Sequence, residues 1–86
     1  MSQNKFLIYT MENCIFCTRA KDLLKANRIG FEEIQLASLS EEKVNELMNK
    51  TKMRTLPQIF YGEKFIGGFS DLQNEFNNGV FSETQK

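Results

Sequence analysis

Short apolar runs bounded by turn residues alternate along this chain with stretches of helical period, and the alternation predicts its elements. Lys5 to Tyr9, carrying Phe6-Leu7-Ile8-Tyr9, reads as a buried strand, and Thr10 to Asn13 as a turn feeding a helix. From Cys14 to about Asn27 the apolar Cys17, Ala20, Leu23 and Leu24 lie close to one helical face, with Arg19, Lys21 and Lys25 off it. Gly30 is the stop signal, and Phe31 to Leu36 suits a second strand. Ser40 as N-cap, with Glu41 and Glu42 in the first turn, opens a second helix carrying Val44, Leu47 and Met48. Gln58 to Tyr61 and Lys64 to Ile66 are strands joined by Gly62-Glu63, a glycine-first pair suited to a type II′ hairpin. After Gly67-Gly68, Ser70 or Asp71 can cap a last helix with Leu72 and Phe76 inward. The order βαβαββα predicts an α/β fold. Its four-stranded mixed sheet has a parallel pair from the β-α-β opening, an antiparallel edge from the hairpin, and three helices packed on it.

Composition narrows what such a fold can do. The 86 residues make one domain, 1–86, and an apolar share of 41% with eight phenylalanines suffices for a modest core. Eleven Lys and Arg balance eleven Asp and Glu, so charge gives no case for nucleic acid or an anionic membrane as partner. No run approaches the roughly 18 apolar residues of a membrane span. Met1 to Lys5 is polar and Phe6 to Tyr9 too short for the apolar core of a signal peptide. The chain is therefore expected in the cytoplasm, as a monomer, where thiols stay largely reduced and a cycling disulfide is better placed than a structural one. Histidine is absent, which excludes a Cys–His protease pair and any His-containing metal site.

The chemistry on offer is sulfur chemistry. Cys14 and Cys17 are the only cysteines, and their spacing puts both sulfurs on one helical face, one turn apart. Two thiols so held can close into a disulfide and reopen. A structural zinc would want four ligands, and no second Cys or His pair exists. Two inert core cysteines are the other bland reading. Against both stands the context: the pair follows a strand at a helix N-terminus, where unpaired N–H groups and the dipole favour a thiolate. Cys14, nearer the helix end and solvent, is the nucleophile on this reading, and Cys17, one turn inside, the resolving thiol.

Three motifs carry a resemblance to a known family. Tyr9-Thr10-x-x-x-Cys14-x-x-Cys17-x-Arg19-Ala20-Lys21-x-Leu23-Leu24, then Thr55-Leu56-Pro57-Gln58-Ile59-Phe60, then Ile66-Gly67-Gly68-Phe69-Ser70-Asp71-Leu72 together resemble a dithiol glutaredoxin, in the family's order and across almost the whole chain. The resemblance implies a thioredoxin-like fold and reduction of protein disulfides and glutathione mixed disulfides at the expense of glutathione. Ribonucleotide reductase is a common client of the family, although no residue here points to it. A cis bond between Leu56 and Pro57 is implied, facing the cysteines and offering the Leu56 backbone to a substrate. Ser70 and Asp71 are implied to hold the γ-glutamyl end of glutathione, with Phe16, Thr55, Leu56 and Pro57 flanking it. Arg19, Lys52 and Arg54 are candidates for its glycine carboxylate.

The pattern also breaks. Ile15 stands where many relatives have proline, Met11 where a lysine often stands, and Val44 where some present a polar residue. A missing cation, with Glu12 close by, disfavours the Cys14 thiolate. Relatives lacking that proline include some that hold a [2Fe–2S] cluster between two subunits, so a cluster-binding dimer is one alternative, cysteine thiolates being suited to iron–sulfur ligation. A thioredoxin-like electron carrier and a non-catalytic interaction module on the same fold are the others.

Overall fold

Phe6, Ile8 and Thr10 are buried on one side of the first strand, while Leu7 and Tyr9 are half-buried on the other, and the molecule is built around that alternation. The structure, a computed structural model, describes residues 5–78. Phe81 and the polar tail Ser82 to Lys86 lie outside the described residues. Strand β1 (Phe6–Thr10) leads to helix α1 (Ile15–Ala26), strand β2 (Phe31–Gln35), a 3-10 turn (Leu36–Ser38) and helix α2 (Glu41–Thr51). Strands β3 (Gln58–Tyr61) and β4 (Lys64–Gly67) and helix α3 (Phe69–Asn77) complete the described chain. The sheet order is β2-β1-β3-β4. Strand β1 runs parallel to β2 and antiparallel to β3, and β3 and β4 form the antiparallel hairpin at the edge. The mixed sheet and the element order are as the sequence predicts.

The core lies under α1 and α3. Ile8 faces Ile59 across β1 and β3, and both are fully buried with Ala20 and Leu24 of α1 and Leu72 of α3. Burying a leucine or isoleucine this completely contributes about 1.5–3 kcal/mol each, so these few contacts carry much of a small domain's stability. On the opposite face Phe60 packs against Tyr9 at 5.9 Å between ring centroids and against Phe65 at 5.0 Å. Helix α2 brings the buried Leu47 to that side, beside an open groove of about 820 Å3 that Leu7, Tyr9, Leu39 and Lys50 also line. Among the described residues no helix is long and apolar enough to cross a membrane.

Several boundaries shift from the sequence expectation, each for a physical reason. Thr10 belongs to β1 and not to the turn: it pairs with Gln35, and its hydroxyl donates to the Glu33 carboxylate at 2.7 Å. Cys14 is the N-cap of α1 and not part of its first turn. Helix α1 ends at Ala26 without using Gly30. Arg28 takes the left-handed conformation (φ 60°), while the Ile29 N–H reaches Leu24 O at 2.9 Å and the Arg28 N–H reaches Lys25 O at 3.0 Å. That pair of bonds is a Schellman stop, closed here without glycine. Leu36 leaves β2 for the 3-10 turn, and β4 runs one residue further, to Gly67. Helix α3 is capped by Gly68, not by Ser70 or Asp71, although the Asp71 carboxylate accepts the Gly68 N–H from the third helical position. Ser40 does cap α2, accepting from the Lys43 N–H. Gly62 carries the positive φ (63°) that the hairpin turn requires.

Candidate active site

Everything reactive collects at the C-terminal end of β1. Asn13 turns the chain through a left-handed residue (φ 59°), a conformation its short polar side chain tolerates, and this delivers Cys14 to the cap of α1. The Cys14 sulfur accepts the Cys17 N–H at 3.2 Å. An N–H aimed at a sulfur from a helix N-terminus stabilises negative charge there. Cys14 and Cys17 are joined as a disulfide, with 5.2 Å between their Cα atoms. Cys14 is half-buried whereas Cys17 is 1% exposed, so an incoming sulfur meets Cys14.

Three segments that the sequence keeps far apart meet around this disulfide. The Leu56 carbonyl lies 3.7 Å from the Cys14 sulfur, and the Leu56–Pro57 bond is cis. The Pro57 carbonyl in turn faces Gly68, where a Cβ would lie 3.6 Å from it. Gly68 donates its N–H to Asp71 Oδ2 at 3.0 Å, which fixes the start of α3. Helix α1 touches α3 again through Phe16 and Phe69, whose ring centroids are 6.1 Å apart, and the Arg19 guanidinium stands over Phe16 at 5.5 Å. Cys14, Cys17, Phe16, Leu56 and Pro57 are thus linked in a chain of contacts that ends at Asp71. Thr55 and Ser70 are exposed beside it; the Thr55 carbonyl accepts from the Gln58 amide. Lys52 is the left-handed cap of α2 and Arg54 is exposed, with nothing tying either to the cysteines. Val44 is half-buried on α2. Among the described residues no three Cys, Asp, Glu or His side chains converge to hold a metal ion.

Sequence reasoning missed two supports of this site. Gln58 reads as an ordinary strand residue, yet it is fully buried and its amide donates to Met53 O at 2.9 Å and Thr55 O at 3.2 Å. It clamps the loop that presents Leu56 and Pro57. Its place at the head of the apolar run Ile59-Phe60-Tyr61 was the available signal. The other support is Glu33 on β2, which accepts from Thr10 and pairs with Lys21 at 3.0 Å. No local pattern connects residues 10, 21 and 33.

The Thr10 hydroxyl first, and then the Lys21 ammonium, hold the Glu33 carboxyl below its ordinary value of 4.5, against a smaller opposing effect of burial. A lowered carboxyl adds stability above its unfolded value and loses that stability as pH falls through its folded value. The acid side is therefore where Glu33 shows. Urea midpoints taken at neutral pH and well below pH 4.5 are expected to fall further for the wild type than for Glu33→Gln. Equal losses in the two proteins would contradict this assignment.

Comparison with known proteins adds to the geometry. The glutaredoxin family model matches residues 6–66. Glutaredoxin 1 of Rickettsia prowazekii is 36% identical over 69 residues, covering 79% of this chain and 73% of that protein. Glutaredoxin 3 of Escherichia coli is 38% identical over 65 residues, covering 76% and 77%. Among solved structures, the glutaredoxin of Brucella melitensis superposes with a TM-score of 0.80 at 32% identity, covering 100% of this chain and 92% of that one. A buckwheat glutaredoxin in complex with glutathione superposes with a TM-score of 0.83 at 25% identity, covering 95% and 76%. The four-stranded mixed sheet with its three helices is the thioredoxin-like fold of these neighbours.

Proposed function

This chain belongs to the glutaredoxin family and is a thiol–disulfide oxidoreductase, and from that premise we propose that it draws its electrons from glutathione. It reduces protein disulfides and glutathione mixed disulfides, with Cys14 as nucleophile and Cys17 as resolving thiol. The observation that carries the reading is the meeting of the Cys14 sulfur, the Leu56 carbonyl and the start of α3 in one place. Glutathione is a small extended peptide, and this arrangement suits one. The Leu56 backbone can pair with its main chain, as an added strand would. The N-terminus of α3, with the Ser70 hydroxyl, suits the γ-glutamyl carboxylate, and Asp71 its ammonium. Phe16, Thr55 and Pro57 would wall the peptide's cysteine. The buckwheat relative's complex with glutathione supports the same choice of ligand.

Two routes use these groups. In the first, the Cys14 thiolate attacks a glutathionylated protein, takes the glutathione and releases the protein thiol. A second glutathione thiolate then attacks the Cys14-bound sulfur, leaving oxidised glutathione and free Cys14. In the second, Cys14 attacks a protein disulfide and Cys17 displaces the mixed disulfide, closing the Cys14–Cys17 bond, which two glutathiones reopen. The reduction of a small glutathione mixed disulfide, coupled to glutathione reductase and a nicotinamide reductant, tests the proposal. Saturable turnover whose initial rate rises from near zero with added glutathione is expected. Equal turnover when thioredoxin reductase replaces glutathione and its reductase would overturn it.

A further inference from the structure

Among the described residues, the large apolar side chains left at least half exposed are Met11 at 52%, Ile15 at 60% and Phe16 at 50%. All three lie within three residues of Cys14. Scattered exposed hydrophobics are ordinary, whereas a set gathered around one reactive atom marks a surface meant to be covered.

The sheet order divides this set. The end of β1 has β2 on one flank, where Thr10 pairs with Gln35, and β3 on the other, where Tyr9 pairs with Gln58. Phe16 leans to the β3 flank, against Phe69, on the side where Pro57 and Gly68 meet. Met11 and Ile15 instead rim a separate groove of about 550 Å3 on the β2 flank, which also borders Cys14 and Cys17. Its volume falls in the range of peptide and small-molecule sites. Lys21 and Glu33 lie in its lining and pair at 3.0 Å, while the exposed Glu12 adds a negative charge to a lining that is more polar than apolar. Met11 and Ile15 are the large apolar side chains of that lining, and an apolar neighbour of a substrate's cysteine has them to touch.

We propose that the β2-side groove, rimmed by Met11 and Ile15, is the subsite for the polypeptide half of a disulfide substrate, and that it favours an apolar side chain beside the substrate's cysteine. The proposal rests on the disulfide-exchange reading of Cys14, but not on the source of its electrons. A disulfide has two halves. If the β3 flank takes glutathione, the β2 groove is a concave surface at the same sulfur that stays open to the polypeptide half. The Cys14 thiolate attacks one sulfur of the substrate; the substrate S–S bond breaks, and the departing half leaves as a thiolate that takes a proton from water. Cys17, having released its own proton to water, then attacks the Cys14 sulfur and frees the second half. Two electrons pass from the protein dithiol to the substrate, with no further reductant.

The test is a single-turnover reaction of the reduced protein, without glutathione. It compares symmetric disulfides of two blocked tripeptides, one with leucine and one with serine on both sides of cysteine. Each rate is normalised to the rate of dithiothreitol with the same peptide. Wild type is expected to favour the leucine peptide by about tenfold, as for a few methylenes gaining an apolar contact. In Met11→Ser/Ile15→Ser the preference should fall to about twofold or less. The ratio is read within each protein, so a change in overall reactivity cancels. No preference in wild type, or an undiminished one in the double variant, would overturn the subsite. A protein that failed with glutathione yet kept the leucine preference would sink the proposed electron source and leave the subsite standing.

Discussion

Replacing Cys14 with serine is expected to lower turnover of any disulfide substrate by at least about a thousandfold, the scale seen when an enzyme loses its nucleophile. A serine hydroxyl is not ionised near neutral pH and forms no bond to sulfur that glutathione could exchange. Cys17→Ser is expected to separate the substrates. Cys17 is 1% exposed, and its partner in the structure is the Cys14 sulfur. On the proposed mechanism its work is confined to displacing what Cys14 has bound. A glutathione mixed disulfide, which a second glutathione can resolve, should turn over within about threefold of wild type in Cys17→Ser. Reduction of a protein disulfide should fall by at least about tenfold, because the intramolecular attack is an effective-concentration advantage that free thiols do not match. Both substrates measured side by side in the three proteins decide the matter. Full loss in Cys17→Ser with both substrates would mean that the two thiols act only as a pair. Full activity in Cys14→Ser would remove the assigned nucleophile altogether.

The parts of the site that could be read from the sequence are those with a local signal. A CxxC at a strand–helix junction, a lone proline before a strand, and Gly67-Gly68 ahead of a helix are local patterns. So were the four strands, since each is a short apolar run with turn residues at its ends. What escaped depends on partners far away in the chain. Thr10 looks like a turn residue until Glu33, 23 residues on, takes its hydroxyl. Gln58 looks like a polar strand start until its amide is seen closing the loop from Met53 to Thr55. The stop of α1 misled for another reason: Gly30 reads as the stop signal, while the left-handed residue is Arg28. The Schellman bonds and the packing of Ile29 on the core meet the cost of a side chain in that conformation. Capping by Asp71 was legible in kind but not in place. A carboxylate three residues into a helix can serve the cap N–H as well as one at the cap, and residue preference alone does not separate the two.

Gly67 is where fold and site depend on a single hydrogen atom. It closes β4 opposite Ile59 across a bulge in the hairpin, since Phe65 pairs with Phe60 and Ile66 is the extra residue. Its φ of 124° lies where side chains are rarely found, and a Cβ there would overlap the Asp71 carboxylate Oδ2 and lie 2.7 Å from Asp71 Cγ. Two costs therefore add in Gly67→Ala. Backbone strain in such a region is about 1–3 kcal/mol, and the overlap must be relieved by moving Asp71 off the Gly68 N–H, which forfeits a helix cap worth about 1 kcal/mol. Together they come to about 2–4 kcal/mol, a large share of the 5–15 kcal/mol typical of whole domains. For a domain of this size the melting temperature should fall by about 10 °C or more. Gly68→Ala is the control. Gly68 has φ −97°, and its Cβ would meet Pro57 O at 3.6 Å and the Met53 methyl at 3.8 Å, both ordinary contacts. That variant should stay within about 1 kcal/mol of wild type. Thermal unfolding of both variants distinguishes a conformational requirement from a general preference for small residues at the turn. A Gly68→Ala loss as large as that of Gly67→Ala would show that space beside Pro57, not the backbone angle at Gly67, governs this junction.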